Sequence, residues 1–280
     1  MKHFFFTILL LIAWSSIYAQ DLQQVAYTYK ATYELQFKID STDSESIKSE
    51  PVLLYLSTNQ SRYLSLSQQL KDSLFSTLDR KNRSMAEFSR VRSMIPKTEF
   101  NYVIFKSKPK NKLVYAEKIF KDKFKYTEDL EMRDWQIKAE TKEILSYTTQ
   151  KAEIEFAGRN YTAWFTAEIP FSDGPYKFTG LPGLILEIYD DQDHYHFTLS
   201  GFQKFSKPVA PFLNLNTYKT IAKSDLLQIK ENFDEDPISA LEAAGVKLDF
   251  ANSSLSKTQA KRDLSNSKSK KNNPIELITN

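Results

Sequence analysis

The chain has no cysteine, only 3 histidines and only 6 glycines in 280 residues. The missing cysteines exclude disulfides, thiolate metal sites, a cysteine nucleophile and lipid attachment at a leader cysteine. No stretch approaches the roughly 20 consecutive apolar residues that cross a bilayer as a helix. Neither charge dominates: 38 basic against 35 acidic residues leave a net +3, too balanced to imply a nucleic-acid partner. No G-x-S-x-G elbow, P-loop or dinucleotide fingerprint occurs. What is abundant is aromatic: 20 Phe, 15 Tyr and 3 Trp, in a chain 41% hydrophobic and 26% charged. That composition builds a core, and the length allows one large domain or two modest ones.

Met1-Lys2-His3 is a basic start, Phe4 to Trp14 is apolar apart from Thr7, and Ser15-Ser16-Ile17-Tyr18-Ala19 puts small residues near a cut. This order predicts a signal peptide over residues 1–19, too short for an anchor. Export without cysteine fits the bacterial envelope better than a eukaryotic secretory route, where exported domains tend to carry disulfides. The expected location is the periplasm or outer-membrane face, or the medium outside.

From Val25 to Ile39 every second residue is apolar (Val25, Tyr27, Tyr29, Ala31, Tyr33, Leu35, Phe37, Ile39), which predicts a long strand with one buried face. Asp40–Glu50 reads as a connection, and Pro51–Ser57 with Arg62–Leu66 as a hairpin. Residues 68–95 change character: Leu70, Leu74, Phe75 and Leu78 fall at helical spacing, and Arg80, Lys81, Arg83, Arg90 and Arg92 make the insertion basic. Strand patterns return at 102–105, 113–120, 124–127, around Trp135, and at 144–156, 161–169, 184–189 and 194–205. Ser224 looks like the N-cap of a further helix, and Pro237–Ala244 a short one ended by Gly245. The expectation is a single mainly β domain over 20–250, a curved antiparallel sheet or incomplete barrel with a few helices. Residues 251–280 are Ser, Asn and Lys, a basic tail too polar to order itself by burial and so expected to be mobile.

Four of the six glycines (Gly158, Gly174, Gly180, Gly183) crowd into 26 residues with Pro170, Pro175 and Pro182. Such a segment needs unusual dihedrals. Ala157–Asn160 reads as the turn of a hairpin; Arg159 at its tip is a binding candidate, though a loop-tip charge is more often simply solvated. Ile169–Pro175 reads as an irregular crossing. Gly180-Leu181-Pro182-Gly183-Leu184-Ile185 reads as a type II turn centred on Pro182-Gly183, partly buried by its flanking apolar residues. Trp164 and Phe178 are the remaining binding candidates of this segment.

His194 and His196 lie at strand spacing on one face with Thr198 and Ser200, near Asp190, Asp191 and Asp193. They are metal candidates only if a third ligand comes from a defined place; an exposed strand face is the simpler reading. Glu153 and Glu155 sit on the polar face of a strand. No catalytic residue and no cofactor is expected. The aromatics fill a core, or line a cavity for an apolar ligand.

Gly180–Ile185 spells GLPGLI, and with Gly158-Arg159, Tyr161-Thr162-Ala163-Trp164-Phe165-Thr166, Glu168-Ile169-Pro170, Gly174-Pro175 and Phe178 it resembles the GLPGLI family of exported bacterial proteins. Asn273-Pro274-Ile275-Glu276-Leu277 is similar to that family's C-terminal ending. The specific likeness covers residues 135–190. Family members often have a cysteine between the positions of Trp135 and Lys151-Ala152; Ser146-Tyr147-Thr148-Thr149 has none. The resemblance implies export and a curved sheet with a helical lid, like lipoprotein carriers, and no mechanism. The functional expectation is an exported, non-enzymatic binding or accessory protein for a periplasmic or outer-membrane partner. A carrier of an apolar lipid or peptide, and a hydrolase without a recognisable motif, are the alternatives.

Overall fold

The computed structural model describes residues 26–77, 84–130, 134–210, 213–243, 245–248, 250 and 256–277. The expected leader at 1–19 lies outside them, as do Leu78, Arg80, Lys81 and Arg83 of the basic insertion.

Alternating side chains and short connections build the frame. The strands are β1 (Tyr27–Lys38), β2 (Ile47–Leu56), β3 (Gln60–Ser65), β4 (Tyr102–Ser107), β5 (Lys112–Ile119), β6 (Asp122–Asp129), β7 (Gln136–Ile144), β8 (Tyr147–Phe156), β9 (Arg159–Thr166), β10 (Leu184–Asp190), β11 (Tyr195–Val209) and β12 (Lys219–Thr220). They form one 12-stranded sheet in the order β12-β6-β5-β4-β3-β2-β1-β11-β10-β9-β8-β7. Antiparallel pairing in chain order makes two meanders, β1 to β6 and β7 to β11, and β11 joins them by pairing with β1. Only β12 on β6 is parallel. The sheet does not close. Five α-helices stand among the described residues: α1 (Leu66–Thr77), α2 (Met85–Ser93), α3 (Lys223–Glu235), α4 (Pro237–Ala243) and α5 (Lys257–Ser269). The chain is thus mainly β, an open sheet with a few helices. No helix among the described residues is long and apolar enough to cross a membrane.

The period-two pattern of β1 places Ala31, Tyr33, Leu35 and Phe37 in the main core. The pattern breaks at its start: pairing with β11 shifts between Tyr27 and Tyr29, and Tyr27 joins a second cluster on the opposite face. Val52, Leu54 and Leu56 of β2 enter the main core, while Leu53 and Tyr55 enter the second with Val103, Phe105 and Val114. Burial on both faces explains the unbroken apolar run Val52–Leu56. The second face is covered by Leu66 at the start of α1 and by Leu213, Leu215 and Tyr218. The main face is covered by the crossing Ile169–Gly183, by α3 through Leu226, and by the end of the chain.

Buried polar bonds fix the crossing. Lys106 of β4 donates to the carbonyls of Gly174 (2.7 Å) and Phe178 (3.0 Å) and pairs with Asp173 at 2.6 Å, all without solvent. Trp135 Nε1 donates to the Thr179 carbonyl at 2.8 Å and Tyr33 Oη to the Ile185 carbonyl at 2.7 Å.

Several local expectations change. The run 144–156 is not one strand: Leu145 and Ser146 take φ of +49° and +66° and turn the chain between β7 and β8. Neither residue carries the usual Asn-Gly signature, so nothing local announces the hairpin. Helix α3 is capped by Ala222 without a side-chain bond, not by Ser224. At the glycine-rich bend, Gly183 N–H donates to the Leu181 carbonyl (2.8 Å), a three-residue turn about Pro182 in place of a type II turn. Gly183 has φ +156°, far from the value near +80° that a type II turn uses there. The bend is part-buried as expected, with Leu181, Gly183, Leu184 and Ile185 inside and Gly180 and Pro182 outside. The largest correction is the tail. It forms α5 and then an ordered stretch in which Asn273 is only 5% exposed. Ile275 packs against the main core, and the buried cations Arg159 and Lys177 hold the polar groups beside it.

Candidate functional site

Tyrosines at matching heights of neighbouring strands make a row on the main face. Tyr115 is directly opposite Tyr126, and Tyr102 opposite Glu117, so all four side chains share one side. The rings stack, Tyr102 on Tyr115 at 4.8 Å and Tyr115 on Tyr126 at 5.0 Å, with Tyr176 of the crossing edge-on to Tyr102 at 6.1 Å. Between this row, α3 and the end of the chain lies a recess of about 580 Å³, partly open to solvent. Leu226 and Leu227 form its helical wall, Pro274–Leu277 another, and Lys223, Lys230, Glu231 and Asp234 its rim. Glu117, 6% exposed, accepts from Tyr115 Oη (2.8 Å) and pairs with Lys230 (3.0 Å). Burial pushes the phenols of Tyr102, Tyr115 and Tyr176 far above their usual range, reinforced by nearby carboxylates. They are neutral hydrogen-bonding groups at any physiological pH. The recess offers flat aromatic faces, phenol hydroxyls and a rim of both charges.

The end of the chain sits in a row of side-chain receptors. Ala157 and Gly158, both left-handed (φ +50° and +83°), turn β8 into β9 and set Arg159 as the first residue of β9, 4% exposed. Its guanidinium lies over Tyr195 (5.1 Å), pairs with Asp190 (2.6 Å) and donates to Asn273 Oδ1 (2.6 Å) and the Pro274 carbonyl (2.7 Å). Tyr195 Oη donates to the Asn273 carbonyl (2.6 Å), and Asn273 Nδ2 to the Lys38 carbonyl (2.7 Å). Three residues on, Glu276 accepts from Tyr176 Oη (2.6 Å) and pairs with Lys177 (2.6 Å) and Lys223 (3.1 Å). Burial, the largest single influence, raises this carboxyl, but Lys177, the Tyr176 hydroxyl and Lys223 together outweigh it and hold the group below the usual glutamate range. Lys177 is itself buried and also pairs with Glu128. Leu277 N–H closes the row on the Ala157 carbonyl at 2.9 Å.

The residues singled out in the sequence are dispersed by the fold. Arg159 is not a solvated loop tip but the buried anchor of the tail. Phe178 is fully buried among Tyr161 (4.7 Å) and Phe156 (5.4 Å), a core residue without access to a ligand. Trp164 faces the other side of the sheet, with the Lys142 ammonium 4.4 Å above its ring and its Nε1 buried without a partner. His194 and His196 are not a pair: His194 Nδ1 lies 3.5 Å from the Arg159 guanidinium, a poor neighbour for a metal cation, while His196 is half-buried and held elsewhere. Among the described residues no group of three His, Asp or Glu side chains could hold a metal ion.

His196 sits between Glu187 (Nε2, 3.0 Å) and Asp193 (Nδ1, 2.9 Å). The bond to Glu187 raises the imidazole above its usual value, against partial burial, and the same bond lowers Glu187. A raised histidine stabilises the fold fully below its unfolded value and loses this as pH rises through the folded one; the lowered Glu187 loses its share as pH falls through its own. The pair is therefore fullest between roughly pH 5 and 6.5. Replacing His196 with Asn is expected to cost about 1–2 °C of melting temperature near pH 6 and less at pH 8.5. A deficit that grows with pH would contradict the pairing.

Tyr102, Tyr115, Tyr126, Tyr176, Lys177, Glu117 and Glu276 were not legible as site residues. Strand patterns run over 102–105, 113–120 and 124–127, but only the pairing of β4, β5 and β6 stacks Tyr102, Tyr115 and Tyr126.

Residues 153–187 match the model of a family described as a protein of unknown function (Porph_ging). No curated protein matches the chain. Two solved structures of PNGF-II, in different space groups, are similar at 15% and 16% identity, each with a TM-score of 0.48. The likeness covers 74% of this chain but 33% and 32% of those, so the chain spans about a third of their length.

Proposed function

We propose that this is an exported, non-enzymatic binding protein of the bacterial envelope that holds an amphipathic small ligand in the tyrosine-lined recess. The observation that carries the reading is the row Tyr102, Tyr115, Tyr126 and Tyr176 facing a recess of about 580 Å³, a volume typical of small-molecule sites. Phenol faces with hydroxyls suit a flat or aliphatic body carrying polar groups, more than a bare hydrocarbon chain. Against a hydrolase stands His196, which holds two carboxylates and no hydroxyl. The test uses the dye 1-anilinonaphthalene-8-sulfonate as probe. Saturable, one-site fluorescence enhancement is expected, weakened at least ~10-fold by Leu227→Trp, which fills the recess from α3 without touching the tyrosine row. Equal binding by that variant at unchanged melting temperature would remove the recess as the site.

A protein partner at the outer membrane is the second reading, favoured by α2. Its Met85 and the following Met94 are 82% and 58% exposed beside Arg90 and Arg92. Phe88, one helical turn after Met85, is exposed on the same side (37%), and neighbouring exposed apolar side chains mark contact sites. Met85→Glu with Met94→Glu is expected to abolish crosslinking of the protein in intact envelope; an unaltered crosslinking pattern would exclude this surface.

A further inference from the structure

The stretch Asn273–Leu277 is held as a bound peptide is held. Two side chains three residues apart, Asn273 and Glu276, each meet a buried cation, Arg159 and Lys177. The backbone is gripped at four further points, the carbonyls of Asn273, Pro274 and Ile275 and the amide of Leu277. Main-chain bonds for affinity with side-chain seats for selectivity is the general form of peptide recognition.

The receptors are built without the tail. Arg159 is fixed by Asp190 and the ring of Tyr195, and Asp190 in turn by the amides of His194 and Tyr195 (2.7 and 2.8 Å). Lys177 is fixed by Glu128 and by Tyr126 Oη. A seat ordered by groups of the sheet and crossing keeps its shape when vacated.

The segment before it adds little hold. Helix α5 has no buried residue. It touches the body through the pairs Lys257–Glu242, Lys261–Asp236 and Lys268–Glu235, all well exposed, and such surface pairs are worth ~0–1 kcal/mol each. Between α5 and this stretch, Lys271 pairs with Glu99 (2.6 Å) and Asn272 bonds Asp40 (2.7 Å) and Ser41 (2.8 Å), all at the exposed surface, so the buried part of the hold lies on the five residues themselves. One receptor atom is also unfilled: Arg159 Nε is buried without an acceptor, so a peptide with one more well-placed oxygen gains a bond that the tail does not make.

We propose that Arg159, Tyr195, Tyr176 and Lys177 form a binding site for an extended peptide bearing asparagine and, three residues later, glutamate, and that Asn273–Leu277 is its tethered, exchangeable occupant. The site goes beyond the tyrosine recess and stands whether or not that recess takes a ligand. A peptide from a partner protein, or the tail of a second copy, enters by displacing the tether.

The test uses a fluorescein-labelled peptide of residues 270–280 and the full-length chain, read by anisotropy. Full-length Asn273→Ala/Glu276→Ala vacates the seat and is expected to bind the peptide. Wild type should bind it ~1000-fold more weakly, because a tether at millimolar effective concentration competes with a peptide of micromolar Kd. The same two alanines in the peptide, or Arg159→Lys in the vacated chain, should cost at least ~10-fold, since Lys cannot fork between Asp190 and Asn273. A vacated variant that melts cooperatively yet ignores the peptide overturns the proposal. Should that variant fail to fold, hydrogen exchange on wild type decides. The Leu277 amide is expected to exchange through local opening, well before the β1–β11 ladder; equal protection would make the tail integral structure and overturn the proposal. Tails crosslinked between copies in a dimer would be the same seat filled in trans.

Discussion

Gly183→Ala is expected to destabilise the protein by about 4 kcal/mol or more, the range reserved for a few severe mechanisms. A Cβ built at Gly183 would stand 2.0 Å from the Thr166 carbonyl oxygen, 2.6 Å from its carbon and 3.0 Å from Ala167 Cα. These are backbone atoms of β9's end and cannot rotate aside. The strand paired with them begins at Leu184, opposite Thr166, so relief means pulling β10 from β9 at the centre of one meander. The backbone itself is at φ +156°, where side chains are rarely accommodated. Gly183→Val should be worse. Gly201→Ala in β11 is the control: nothing lies within 4 Å of its added Cβ, and a change within ±0.5 kcal/mol or so is expected. By thermal melting, the first substitution should lower the midpoint by more than ~10 °C at this chain length and the second barely at all. Similar small shifts for both would show that β9 and the bend are not packed as described.

The second large effect is at Lys106. Its ammonium is 1% exposed and all three donors are used, on Asp173, Gly174 and Phe178. Burial pulls its pKa down, and the Asp173 carboxylate opposes that fall. Lys106→Met removes the cation and leaves Asp173, also 1% exposed, as an unpaired buried charge. Breaking one side of such a pair costs about 3–5 kcal/mol. Removing both charges, Lys106→Met with Asp173→Asn, should recover a large part of that loss. The double-mutant cycle therefore carries the prediction: a coupling above ~1.5 kcal/mol by denaturant unfolding supports the clamp, and additive losses would mean the two residues do not meet. The crossing that Lys106 holds carries Tyr176 and Lys177, so the single variant should also weaken dye binding in the recess and peptide binding at the Arg159 seat together.

Much of the frame was legible because β-structure writes its pattern locally. The alternation Ala31, Tyr33, Leu35, Phe37 needed only a period of two, and Pro51–Ser57 read as a hairpin strand, whose burial on both faces only the fold shows. The crowding of Gly158, Gly174, Gly180 and Gly183 marked the segment with unusual backbone. The turn at Leu145-Ser146 was illegible because pairing of Ile144 with Tyr147 imposes the left-handed dihedrals on residues that do not ask for them. The histidines were misplaced for a similar reason: alternation gives a face, and only the neighbouring strand supplied Glu187.

By itself, then, the chain determined a mainly β sheet, the positions of most strands and the part-buried bend at Gly180–Ile185, since each depends on side chains a few residues apart. Tertiary structure alone decided what the buried cations do. Arg159 finds Asn273 across 114 residues, and Lys106 finds Phe178 across 72. A long polar side chain reads the same in a sequence whether it ends in water or in a receptor. Which one it meets depends on the free energy of desolvating it against partners that only the completed fold brings within reach.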